Sequence, residues 1–211
     1  LPARPEAIAA MHRPEDRQQW EAARRRLAYD ECLVMQLGIA LLRQRQVSRP
    51  AHPLPGGPRV DERIRARFPF AFTHAQERAV DEIRADIGRN RPMNRLLQGD
   101  VGAGKTVVAL YAALVAVAAR RQVAILAPTE ILAAQHYRKI EQYLEGSRVR
   151  TALVVGGQRP SERARTRDAL AAGNVDIAVG THALLGEGVR FARLGLVVVD
   201  EQHKFGVRQR S

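Results

Sequence analysis

Cysteine is almost missing from this chain: Cys32 is the only one in 211 residues, so no internal disulfide can form. A lone thiol fits a reducing compartment, and the cytoplasm is the expected one. No apolar run reaches the ~18–20 residues of a bilayer span. The nearest, Val107–Ala119, is short and alanine-rich, as a buried helix is. This argues against a membrane partner. There is no signal peptide, no internal repeat and no heptad seam, and a monomer is expected. Lysine is scarce too. Of 34 Lys and Arg residues, only Lys105, Lys139 and Lys204 are lysine. The chain starts at Leu1 rather than Met and stops soon after an acidic motif, a pattern expected of a fragment.

What is abundant is positive charge. The formal net charge is +12. Residues 1–90 hold 16 basic against 12 acidic groups, and residues 91–211 hold 18 against 10, so the second part carries +8 of the excess. Such a balance points to a polyanionic partner, most often nucleic acid, against the plainer reading of an arginine-rich solvated surface.

One of the three lysines sits in Gly99-Asp100-Val101-Gly102-Ala103-Gly104-Lys105-Thr106. This fits G-x-x-x-x-G-K-[ST], the loop that cradles nucleotide phosphates. It follows the apolar Leu96-Leu97 and precedes a long apolar run, the strand–loop–helix context that the motif requires. Gly99, Gly102 and Gly104 let backbone N–H groups turn inward, and the start of the next helix adds partial positive charge. Lys105 would reach the β- and γ-phosphates, and Thr106 would place its hydroxyl on Mg²⁺. A compact ammonium suits such a cradle better than a planar guanidinium, which makes a lysine here informative in an arginine-biased chain.

The rest of the chain supplies the frame. Pro14-Glu15-Asp16 reads as a helix start, with a helical pattern running to about Gln46. Within it Arg24-Arg25-Arg26 is a solvated face or, less simply, a nucleic-acid contact. Arg49 to Arg59, rich in proline and glycine, reads as a linker or irregular loop and as the domain boundary. Thr73-His74-Ala75-Gln76 matches a capping box, so a helix should start there and run to about Gly88. Beyond it, strands are expected at 95–98, 123–127, 151–155, 175–179 and 196–200. Helices are expected at 105–120, 130–144 and 161–172, with a short one at 182–185. Apolar strands alternating with helices predict an α/β fold: a parallel sheet with helices on both faces, and ligand loops at the carboxyl ends of the strands.

Leu196-Val197-Val198-Val199-Asp200-Glu201 is an apolar strand ending in two carboxylates. Asp200 is the candidate for holding Mg²⁺ through water. Glu201 is the candidate for orienting or deprotonating the attacking water. No histidine or cysteine cluster surrounds His203, so no other metal is expected there. Two further strand ends share one design: Ala127-Pro128-Thr129-Glu130 and Val179-Gly180-Thr181-His182. Thr129 and Thr181 are candidate N-caps, and helix starts bind phosphates. Two on one sheet edge favour a track for a nucleic-acid backbone. Gly156-Gly157, after a third strand, either allows close backbone approach or simply makes a turn.

Taken together, Phe72-Thr73-x-x-Gln76, the phosphate loop, Ala127-Pro128-Thr129-Glu130, Val179-Gly180-Thr181-His182 and Asp200-Glu201-Gln202-His203 resemble superfamily 2 helicases. Pro92 to Gly102 and Asp200 to Arg210 resemble more narrowly the RecG-type branched-DNA helicases. The likeness is dense from about Phe70 to Arg210 and weaker through 1–46, where Arg25 to Glu31 resembles the helical connector before the motor. The resemblance implies a P-loop, RecA-like ATPase domain over 59–211, C-terminally truncated, behind a connector and linker over 1–58. It implies ATP and Mg²⁺ as cofactors and an ATP-dependent motor acting on stalled forks and Holliday junctions in DNA repair and recombination. The implied partners are branched or forked duplex DNA, a second RecA-like domain and a wedge domain of the same parent chain.

By the same resemblance Gln76 would read the adenine edge, besides any capping role, and Phe72 would shape the base pocket. Gln202 and His203 would couple nucleotide state to the second motor domain. Pro128, Thr129, Glu130, Gln135, Gly156 and Gly157 would line the DNA track, with Gly180, Thr181 and His182. The implied cycle closes a cleft between two lobes, moves the loops after Ala127, Val155 and Val179 along the backbone, and reopens on product release. Lys204 departs from the usual arginine and lacks its bidentate geometry. Two other readings compete. A transcription-repair coupling translocase usually has Asp-Glu-Glu and Pro-Thr-Thr where this chain has Asp200-Glu201-Gln202 and Pro128-Thr129-Glu130. A nucleotide-dependent binding module without remodelling activity is the other.

Overall fold

The computed structural model describes residues 1–100, 102–186 and 188–201. It divides into two compact units, Leu1–Pro50 and Ala51–Ser211.

The first unit pairs two helices, α1 (Arg4–His12) and α2 (Arg17–Val47). They close on small side chains: Ala7, Ala10 and Ala23 are buried together, with Met11 and Leu27 packed against them. The start of α2 lies three residues beyond Pro14, because Asp16 accepts the Gln19 N–H and so takes the capping place itself. The sequence pattern missed α1. Farther along α2, Val34, Met35, Leu37, Leu41 and Leu42 are exposed.

The second unit opens with the stretch expected to be a linker. Much of it packs instead: Leu54 is buried in the main core, and its N–H donates to the Ile87 carbonyl. Pro58 begins α3 (Pro58–Arg65), proline being suited to a first helical turn. Next come α4 (His74–Ile87) and α5 (Lys105–Ala118). Strand β1 (Gln122–Leu126), α6 (Glu130–Tyr143), β2 (Thr151–Val154), α7 (Pro160–Ala171) and β3 (Ile177–Gly180) follow. A 3₁₀ turn, His182–Leu185, and β4 (Leu194–Val199) end the described fold.

The four strands form a parallel sheet in the order β2-β3-β1-β4. Alternate residues of β1 divide the core. Val123 and Ile125 face a large cluster with α3, α4, α5 and α6, while Ala124 and Leu126 face a smaller one with Leu170 of α7 and Leu184 of the 3₁₀ turn. Helices therefore cover both faces, as the apolar strand runs predict. α5 is the most enclosed element, with nine buried residues from Val107 to Ala116.

One expected strand is corrected. Residues 95–98 join no ladder. Arg95 is drawn instead to Glu82 and Asp86 of α4, Leu97 packs on the large core, and Leu96 is 76% exposed. The side chains of this segment are tied to α4 and the large core, while its backbone pairs with no strand among the described residues. β4 starts two residues earlier than expected because a bulge absorbs Gly195: Gln122 pairs Leu194, but Val123 pairs Leu196. A Cβ on Gly195 would lie 2.5 Å from that of Arg121. Buried Gln122 fixes this corner, donating to the Leu170 and Val175 carbonyls and accepting from the Arg193 N–H.

The register sets the geometry of function. Leu126 lies beside both Gly180 and Val199, and Val154 lies beside Gly180. The four strands therefore end level. The turns carrying Gly156-Gly157, Thr181, Thr129 and Asp200 leave the sheet along one edge, in that order.

Candidate functional site

The phosphate loop is shaped by two left-handed glycines, Gly102 (φ 85) and Gly104 (φ 78). Residues with a Cβ rarely adopt this conformation. Gly104 is also the residue immediately before α5, and its carbonyl accepts the Val107 N–H at 2.9 Å. Thr106 thus lies in the first turn of a helix whose free N–H groups face the loop. Lys105 folds back into the loop: its Nζ donates to the carbonyls of Gly99 at 2.7 Å and Asp100 at 2.9 Å. The ammonium is centred where an anion would be met.

Gln76 reaches the same loop from α4. Its Oε1 accepts the Thr73 N–H at 2.9 Å while Thr73 Oγ1 accepts the Gln76 N–H, closing the expected capping box. Its Nε2 donates to the Ala103 carbonyl at 3.1 Å. A Cβ on Gly104 would sit 2.3 Å from that nitrogen, so the glycine makes room for the glutamine. Phe72 is half-buried, edge-on to Phe68 and Tyr111. The Arg65 guanidinium lies 5.2 Å from its ring centroid and 5.8 Å from that of Tyr111.

Arg65 belongs to a network that the sequence pattern did not single out. It donates to Glu77 through its two terminal guanidinium nitrogens, at 2.7 and 2.9 Å, and to Asp61 through Nε at 2.9 Å. Tyr111 donates its hydroxyl to Asp61, and Arg84 stands 3.6 Å away. Burial pushes the Asp61 carboxyl up, but the Tyr111 and Arg65 hydrogen bonds and the two guanidinium charges outweigh it and hold it low. Burial, with the Asp61 bond, pushes the Tyr111 hydroxyl up. The motif fixes Phe72 and Gln76; this network ties the start of α4, which carries Gln76, to α3 and α5. A search for catalytic spacings has no means of finding it.

At the strand ends, Thr129 caps α6, accepting the Leu132 N–H at 3.3 Å. Thr181, 1% exposed, accepts the Ala183 N–H. Gly180 is buried, and a Cβ there would lie 2.1 Å from the Val154 carbonyl. Gly180 and Thr181 thus shape the turn from within, while Pro128, Thr129 and His182 offer surface. Glu130 turns sideways: its Oε1 accepts the Gly157 N–H at 3.1 Å. The carboxylate therefore holds the Gly156-Gly157 turn, which is exposed, as is Gln135. The Asp200 N–H donates to the Leu126 carbonyl at 2.8 Å, and its Oδ2 meets His136 Nε2 at 2.8 Å. Glu201 has a left-handed backbone (φ 50) in the turn after β4. Gln202, His203 and Lys204 lie outside the described residues.

The donor set fits a nucleotide with Mg²⁺. Among the described residues no group of three or more His, Cys, Asp or Glu converges as a protein cage for a metal. Mg²⁺ at phosphates takes one or two protein ligands and fills the rest with phosphate oxygens and water. Thr106, at the start of α5, and Asp200, at the end of β4, belong to two elements that pack against each other.

This fold and loop set define a class. The model of the DEAD/DEAH box helicase family matches residues 73–211, more than half of the chain, and the chain belongs to that family. Nearly the whole chain is similar to helicases named RecG. It is 44% identical over 206 residues to the ATP-dependent DNA helicase RecG of Thermotoga maritima, covering 98% of this chain and 26% of that protein. It is 48% identical over 185 residues to that of Acidithiobacillus ferridurans, covering 88% and 27%. A RecG structure bound to a three-way DNA junction superposes with a TM-score of 0.86 at 43% identity, over 95% of this chain and 27% of that one. A hypothetical ATP-dependent RNA helicase from Sulfolobus tokodaii shares the fold, with a TM-score of 0.52 at 20% identity, over 70% of this chain and 42% of that one. The chain spans about a quarter of the length of the RecG relatives.

Proposed function

We propose that this chain is the nucleotide-binding part of an ATP-dependent motor that translocates on branched or forked duplex DNA in repair and recombination. The observation that carries the reading is a phosphate loop with an inward-turned Lys105 in a sheet whose other loops leave along one edge. In this reading the loop amides and Lys105 bind the phosphates, and Gln76 reads the adenine edge beside Phe72. Thr106 and Asp200 hold Mg²⁺, which when bound neutralises charge on the transferred phosphoryl group. Glu201 orients the attacking water and accepts its proton. Gln202 and His203 carry nucleotide state to a second RecA-like lobe.

The DNA backbone follows Pro128, Thr129, Gln135, Gly156, Gly157 and His182. Glu130, Gly180 and Thr181 support that track from behind. RecG helicases are DNA enzymes by name, and one is solved on a three-way junction; the proposal extends this to the present chain. The proposed organisation is a helical connector over 1–50 and a RecA-like domain that takes in the 51–58 stretch expected to be linker. Action as a monomer in the cytoplasm completes the reading. No helix among the described residues is long and apolar enough to cross a membrane.

A second lobe supplies the arginine finger, which is worth about 10³–10⁵ in rate. Residues 1–211 alone should accordingly bind Mg²⁺–ATP weakly and turn it over poorly. The test is ATP turnover by the full-length protein with and without forked DNA, beside Lys105→Ala. Fork-stimulated turnover that disappears in the variant supports the motor. Turnover indifferent to DNA or to the loss of Lys105 leaves a nucleotide-binding module, and strong DNA-stimulated turnover by residues 1–211 alone refutes the division of labour.

A further inference from the structure

The face that α6 turns to the sheet is apolar with one exception. Ala133 and Ile140 are buried and Tyr137 packs on the large core, yet His136 lies between them with its side chain 19% exposed. An imidazole half-withdrawn from water on such a face needs a partner for its ring nitrogens. It finds one at the end of β4: Nε2 stands 2.8 Å from Asp200 Oδ2. The backbone of Asp200 is already fixed by the bond from its N–H to the Leu126 carbonyl. What this leaves free is rotation of the carboxylate, and His136 removes it. Among the described residues His136 is the one side chain bonded to that carboxylate, and it uses only Oδ2.

We propose that His136 is a positioning residue that locks the Asp200 carboxylate, keeping Oδ1 in a fixed orientation for the hydration shell of the nucleotide-bound Mg²⁺. The inference rests on the reading of Asp200 as the carboxylate that holds the metal. The physical reason is general: a ligating carboxylate that is itself hydrogen-bonded meets the ion without losing further rotational freedom, and removal of such supporting bonds typically costs 10–100-fold in metal affinity. The ring does this with Nε2–H as donor to the acceptor-only carboxylate. A glutamine amide can reach the same place with the same kind of donor, whereas a phenyl ring fills the space and donates nothing.

The test uses the full-length protein and a fluorescent methylanthraniloyl-ATP, whose affinity is measured without Mg²⁺ and across an Mg²⁺ titration. His136→Phe is expected to leave the metal-free affinity unchanged and to raise the half-saturating Mg²⁺ concentration about tenfold or more. His136→Gln should return it to within about threefold of the starting protein. His136→Ala, which adds no bulk to the face, should behave as the phenylalanine variant. Unchanged Mg²⁺ dependence in both His136→Phe and His136→Ala overturns the proposal. So does a loss of affinity that is equal with and without Mg²⁺, which a merely structural role would give. Asp200→Asn separates the two levels of failure. If it too leaves the Mg²⁺ dependence intact, the reading of Asp200 fails and takes the proposal with it. If Asp200→Asn abolishes the dependence while the His136 variants do not alter it, only the role of His136 is wrong.

Discussion

Glu201 and Asp61 show two different ways a single carboxylate matters here. Glu201 follows Asp200, the proposed metal-side carboxylate, in a left-handed turn (φ 50). Replacing it by glutamine keeps the size but removes the proposed base. Full-length Glu201→Gln should bind Mg²⁺–ATP within a few-fold of the starting protein and lose about 10²–10⁴ in turnover, the usual range for a general base. Equal losses in binding and turnover would show instead that Glu201 shapes the nucleotide site.

Asp61 acts on folding. Its partners Tyr111, Arg65 and Arg84 hold its folded-state pKa below the ordinary carboxylate value of about 3.9. A depressed carboxylate contributes stability at pH values above the unfolded pKa and loses it as pH falls through the folded one. Asp61→Asn should therefore lower the denaturation midpoint at pH 7, and the gap to the starting protein should narrow below about pH 4. A gap constant from pH 7 to pH 3 would show that the charge of Asp61 contributes nothing.

At the scale of elements, much was legible because the chemistry is local. The capping box at Thr73 and Gln76, the cap at Thr129 and the apolar runs of β1, β3 and β4 each declare themselves within a few residues. Elements set by distant partners did not. The 95–98 segment looks like a strand until Glu82 and Asp86 claim Arg95, and the stretch after Arg49 looks like a linker until Leu54 enters the core. The same division runs through the site. The loop glycines and Lys105 follow from spacing, but the partnership of His136 with Asp200 joins residues 64 positions apart, from α6, which packs over β2 and β3, to the residue after β4.

Gly180 stands between these cases. Its place in Val179-Gly180-Thr181-His182 suggested a DNA contact, whereas its burial beneath Val154 and Leu184 makes it a packing glycine. Gly180→Ala should cost at least about 1–3 kcal/mol of stability, since backbone atoms must shift to admit the methyl group. A midpoint change within about 0.5 kcal/mol, the ordinary effect of a surface substitution, would mean that the turn is far more pliable than its contacts indicate.

At the scale of the whole molecule, the charge has a direction of use. The chain carries +12, with +8 of it in residues 91–211, which contain the phosphate loop and the level edge of the sheet. The surfaces proposed along that edge, at Pro128, Thr129, Gln135, Gly156, Gly157 and His182, offer backbone amides, a hydroxyl, a side-chain amide and an imidazole, groups suited to phosphate and sugar contacts. Binding built from such contacts should be largely blind to sequence and steep in salt, because each neutralised phosphate releases counterions and adds about −0.9 to the slope of log K against log salt on duplex DNA. Fluorescence anisotropy of the full-length protein on forks of one shape but unrelated sequence should give affinities within a few-fold of one another and parallel salt slopes. Arg159 lies two residues beyond Gly157 and is exposed. If the backbone runs past this turn, Arg159→Ala should shallow every slope by about one unit, uniformly across the sequences. A slope left unchanged would move the track away from the Gly156-Gly157 turn. Affinities that differ by orders of magnitude between sequences would overturn backbone tracking and point to base contacts by side chains such as Gln135.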